Sequence, residues 1–135
     1  MIVDARGQIL VEAWLKQNRP DAIVFAAAEI GGIYATDAFP ADFLHDDMAI
    51  ETNIIHSAHV AGLDRPAFVG SSRIHPKFAP RPIKEEGAPR TGSLEPTNEW
   101  YAIAMIAGVK LCQAHRKRYG RHLHFGDAAR SLCAQ

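Results

Sequence analysis

The chain has 135 residues, 47% apolar and 22% charged, with a formal net charge of zero. That length suits one domain with a sizeable core. The neutral balance argues against nucleic acid or an anionic membrane surface as a partner, and no apolar run approaches the ~20 residues of a membrane span. The start, MIVDARGQIL, lacks the basic lead and long apolar stretch of a signal peptide. Two cysteines, Cys112 and Cys133, are too few for a disulfide framework and too isolated for a zinc site. The expectation is a reduced, cytoplasmic protein with no metal site.

Residues 9–18, ILVEAWLKQN, place Ile9, Trp14 and Leu15 on an apolar stripe with Val11 nearby, which predicts a helix. Arg19-Pro20-Asp21 ends it, because proline drives the preceding residue out of helical geometry. AIVFAAA, residues 22–28, is a short continuous apolar run and predicts a strand covered on both faces, as in a parallel sheet. Gly31-Gly32 follows as a flexible turn. A loop through Phe39-Pro40 leads to a helix over 41–61, which Gly62 closes. AFVGS, residues 67–71, predicts a second strand. Residues 76–96 carry five prolines and two glycines and read as a loop. Asn98 is placed to cap a helix over 99–119, and Gly120 ends it. The tail begins like a strand at His122 and then loses any period. Helices alternating with strands require crossover connections, hence a parallel sheet flanked by helices.

In an open parallel sheet, ligands sit beyond the carboxyl ends of the strands. Ser71 and Ser72 fall at such an end, where a hydroxyl can meet a carbonyl oxygen. Tyr101 falls in the first turn of the 99–119 helix, and Met105, Gly108 and Cys112 continue its face. Taken singly, two serines also suit an ordinary strand end, and a tyrosine suits an ordinary amphipathic helix.

In order, however, G-S-S-x-I-x-P-K, a proline-rich loop, and S-L-E-P-T-N-E-x-Y-A-I-A-x-I-A-G-x-K-L-C resemble the GDP-L-fucose synthases. These belong to the extended short-chain dehydrogenase/reductase superfamily. AAAEIGGIYA followed by PADFLHDDMAIETNIIHSAH is similar to the middle of the same family, so the blocks run from about Val11 to Gly120. The resemblance implies an α/β fold with a partial doubly wound parallel sheet, a fragment of a Rossmann-type NAD(P)-binding domain. Residues 1–120 would be its middle part and 121–135 a divergent tail of the kind a frameshift produces. It implies NADPH-dependent epimerisation and reduction of GDP-4-keto-6-deoxy-D-mannose. Ser71 would hydrogen-bond the C4 oxygen and Tyr101 would supply its proton. Ala26, Ala27, Ala28, Val69, Gly70, Ser71 and Ser72 would line the nicotinamide side of NADP. The partners implied are a GDP-sugar and a second copy of the chain, paired through helices 41–61 and 99–119.

The chain departs from that family at several positions. Met105 stands where the family has a lysine that holds the nicotinamide ribose and lowers the tyrosine pKa. Lys110 lies half a turn around the helix from Tyr101 and is no substitute. Arg73 occupies the position of the cysteine used in epimerisation, His75 replaces a tyrosine, and neither His75, His122 nor His124 inherits the partner histidine's role. No G-x-x-G-x-x-G loop is present, and Gly7 and Gly31-Gly32 lack its spacing. The expectation is an inactive remnant of a GDP-L-fucose synthase, truncated at both ends. The alternative is a non-catalytic partner that pairs with an intact subunit through the two long helices.

Overall fold

The computed structural model describes residues 3–26, 32–63, 66–70, 94–120 and 124–127. Helix α1 (Gln8–Asn18) is followed by β1 (Ile23–Phe25), α2 (Gly32–Ala38), α3 (Pro40–Val60) and β2 (Pro66–Gly70). A single 3-10 turn (Pro96–Asn98) then leads into α4 (Glu99–Tyr119) and β3 (His124–Asp127). The strands form one parallel sheet in the order β1-β2-β3, with Phe25 opposite Phe68 and Gly70 opposite Asp127.

Helix α1 buries Val11 and Leu15 against Ala58, with Trp14 and Ile54 packed alongside. The expected stripe needs one correction, since Ile9 is 83% exposed. Ile9 and Val11 are about 200° apart around a helix and cannot share a face; the stripe that packs is Val11, Trp14 and Leu15. The helix stops where Arg19 turns left-handed at φ 41°, its amide reaching back to the Leu15 carbonyl at 2.9 Å, just before Pro20.

Strand β1 is shorter than the apolar run, and its two faces differ. Ile23 and Phe25 turn towards the helices, and the Phe25 ring stacks on Phe68 with centroids 4.9 Å apart. Val24 points the other way and is 72% exposed, so the expectation of a strand covered on both faces fails for the described residues. A second correction concerns the segment before Phe39-Pro40, read as loop, which contains the seven-residue α2. Glycines and a proline bracket it so closely that no helical period can show.

Helix α3 begins with Pro40, whose missing amide is no loss at that position. At its other end the Gly62 amide bonds the His59 carbonyl and the Leu63 amide bonds the Ala58 carbonyl, with Gly62 at φ 72°. That is the double bond pattern of a left-handed glycine stop. Helix α4 has the boundaries expected of it, and Gly120 ends it at φ 64°. Asn98 does not cap it with its side chain; its amide donates to the Thr97 hydroxyl at 3.3 Å instead.

Helices α3 and α4 lie side by side and parallel: Glu51 meets Gly108, and eight residues further along α3, His59 meets His115. Each precedes a strand of the same parallel sheet, so right-handed crossovers bring both along the same direction. Between them and the sheet sits the main core of Phe25, Ile55, Phe68, Met105, Val109 and Cys112. Strand β3 lies in the segment that had no period beyond its strand-like start, and it is held by pairing with β2.

Candidate functional site

The parallel register brings the carboxyl ends of the strands to one edge. Ala26 follows β1 there and is exposed; Val69 and Gly70 close β2, with Val69 half-buried. Ala27, Ala28, Ser71, Ser72 and Arg73 lie outside the described residues, as do His75 and His122. Of the expected site, the structure therefore places Ala26, Val69, Gly70 and the two α4 residues, Tyr101 and Met105.

Tyr101 stands in the first turn of α4, half-buried, and packs against the core that Phe25 and Phe68 of the sheet help to build. Met105, one turn on, is 1% exposed and belongs to that core outright. Its thioether fills apolar space and carries no charge. An ammonium at the same depth would need a partner, because burying an unpaired charge costs several kcal/mol.

Two acidic side chains escaped the sequence reading. Asp47 and Glu51 lie one turn apart on α3, and both are fully buried. The Glu51 carboxyl is pushed up to about 9, chiefly by burial and next by the neighbouring Asp47, with the backbone at Gly108 pulling weakly the other way. Gly108 has to be glycine here: a Cβ would run into the Glu51 carboxyl and come within 2.8 Å of the Phe68 ring. The signal was present in the spacing, since 47 and 51 are in phase with the buried Phe43 and Ile55.

One turn beyond Gly108, burial pushes the Cys112 thiol up to about 11. It is a packed, protonated thiol rather than a nucleophile. At the carboxyl end of both helices His59 stacks on Tyr119 at 4.1 Å and meets His115 edge-on at 5.1 Å. Burial, then His59 and His56, hold His115 below the ordinary imidazole range. Among the described residues no group of three or more His, Cys, Asp or Glu side chains is placed to hold a metal ion. No described helix is long and apolar enough to cross a membrane.

A parallel sheet with crossover helices, and a tyrosine-bearing helix packed against the strands, is the arrangement of a Rossmann-type nucleotide-binding domain. The chain belongs to the NAD dependent epimerase/dehydratase family, whose family model matches residues 1–126. It is 52% identical over 118 residues to the GDP-L-fucose synthase of Sinorhizobium fredii, covering 87% of this chain and 37% of that protein. GDP-L-fucose synthase 1 of Arabidopsis thaliana is also 52% identical over 118 residues, covering 87% of this chain and 36% of its own length. Among solved structures, MlghC, the GDP-mannoheptose C4 reductase of Campylobacter jejuni with NADP bound, matches with a TM-score of 0.84 at 28% identity. That match covers 91% of this chain and 38% of the other. The chain thus spans little more than a third of the length of the curated relatives it matches.

Proposed function

We propose that the chain is a GDP-L-fucose synthase-like protein of nucleotide-sugar metabolism in which the reductase chemistry is silenced. The substrate of the ancestral reaction is GDP-4-keto-6-deoxy-D-mannose, and the cofactor is NADP. In this reading Tyr101 would supply the proton and Ser71, which follows β2 in the sequence, would be its hydroxyl partner. The observation that carries the reading is Met105. It sits one turn from Tyr101, 1% exposed in the apolar core, where the family's lysine supplies a positive charge. A free tyrosine ionises near about 10, and each unit of lowering needs roughly 1.4 kcal/mol that a thioether cannot provide. Arg73, in place of the epimerisation cysteine, supports the same reading.

Ala26 and Val69 are small or medium-sized residues at the carboxyl ends of β1 and β2. The described residues nevertheless do not fit NADP: the position that should grip its ribose is occupied by a buried apolar side chain. Titration of the chain with NADPH by calorimetry tests this. No saturable binding is expected at micromolar concentrations, and a low-micromolar Kd would contradict the proposal.

A second reading is favoured by the outer faces of the long helices. Met48 on α3 and Trp100 and Ile103 on α4 are each more than a third exposed, a supply of apolar surface for pairing with another subunit. Light scattering should then report a dimer that Ile103→Glu dissociates. A monomer at all accessible concentrations that also fails to associate with an intact subunit of the family would eliminate this reading.

A further inference from the structure

The stripe of α3 formed by Phe43, Asp47, Glu51 and Ile55 recurs every fourth residue, and all four side chains are buried. Two carboxyl groups in the middle of such a stripe are the chemical anomaly of the molecule. Glu51 is the sharper of the two: it has no exposed surface, and beyond the approach of the Gly108 backbone neither oxygen completes a hydrogen bond among the described residues. Its carboxyl lies against the bare backbone of Gly108, and the Phe68 ring of β2 closes on the same spot. The charged or titratable groups that face it are Asp47 from its own helix and Cys112 from α4. From β2 the Phe68 ring reaches the same spot, and the Arg116 guanidinium acts on Cys112. An anion in that place would be desolvated beside another acid with no described cation to receive it.

We propose that the Glu51–Gly108 contact is a pH-sensitive latch between α3 and α4. The carboxyl seats against α4 while it carries its proton, and the helices part when that proton is released to water. The acid stays neutral in the closed state up to about 9, against an ordinary value of 4.5. A raised value means that the latch is fully effective below about 4.5 and weakens as the pH climbs. The weakening levels off above about 9.

Cys112, 2% exposed in the same core, serves as the reporter. The full chain carrying Cys133→Ser is labelled with iodoacetamide between about pH 5 and pH 10, alongside the same chain with Glu51→Gln. At each pH the ratio of the two rates cancels the ordinary ionisation of the thiol. The ratio of parent to Glu51→Gln is expected to rise at least roughly a hundredfold between about pH 5 and pH 9 and then flatten. Adding Asp47→Asn to the parent should bring the plateau to lower pH, because a neighbouring charge no longer holds the Glu51 proton. A ratio independent of pH overturns the latch. So does a Glu51→Gln chain that is unfolded at about pH 6, since the amide should occupy the place of a neutral acid. An unmoved plateau with Asp47→Asn counts against it as well.

Discussion

Three residues apart on α4, the chain makes opposite exchanges. Met105 puts an apolar side chain where the proposed reading expects a cation; at Gly108 the bare backbone receives a carboxyl where packing favours a hydrocarbon. Both lie against the same core, and the core's low polarity decides both outcomes. It suits the thioether, and it holds Glu51 in its neutral form by burial. Either group sheds its charge there, in opposite ways. A carboxyl does so by taking up a proton near neutral pH, whereas a lysine at position 105 would have to give one up. The interior therefore keeps a neutral acid in place, whereas the proposed reaction would need a lysine that stays charged.

That contrast predicts the largest loss for Met105→Lys in this chain. Without a partner, the buried ammonium should cost about 3 kcal/mol or more, read as a lower midpoint in urea. Retention of the parent midpoint would show that the site can hydrate or pair a cation. Gly108→Ala comes next, at about 1–3 kcal/mol, because its Cβ collides with the Glu51 carboxyl and the Phe68 ring. In a Glu51→Ala background the same change should cost measurably less, and a double-mutant cycle gives the difference.

The far end of the α3–α4 seam should respond to pH in the opposite sense. His115 is held below its ordinary value of 6.5, so the neutral ring is the form that packs. Its contribution is complete above about 6.5 and is lost as the pH falls below that. The groups around it are His56 and His59 from α3 and Tyr119 from its own helix. His115→Gln should flatten the acid limb of the urea midpoint against pH and leave the alkaline limb alone. The smallest effect belongs to Asn98→Ala, below about 0.5 kcal/mol, because this residue makes no side-chain cap bond to α4.

Long helices were readable because their punctuation is local. Gly62 and Gly120 adopt the left-handed turns their positions require, and α4 runs between the predicted ends. The parallel sheet followed from the alternation of elements, and the family followed from the order of three motif blocks. Three features stayed hidden, each for a physical reason. Helix α2 has seven residues, fewer than a period needs to declare itself. Strand β3 showed only a strand-like start at His122, and its extent is set by pairing with β2 rather than by any period of its own. Glu51 is in phase with the buried Phe43 and Ile55, but its carboxyl reads as solvated until Gly108, 57 positions later in the sequence, is seen to make space for it. Tyr101 and Met105 were legible as a pair, but only the fold places Met105 inside the core rather than on an open face.

The reading of α4 as a disarmed catalytic helix is best tested in a complete enzyme. Residues 11–120 would replace their counterpart in a full-length GDP-L-fucose synthase, once with Met105 and once with Met105→Lys. The rate measured is NADPH-dependent reduction of 4-keto sugar already epimerised, so that Arg73 does not limit it. The lysine form should be at least roughly a hundredfold faster, the size of about 3 kcal/mol of transition-state stabilisation. Equal rates in the two forms would mean that Met105 is not what silences Tyr101.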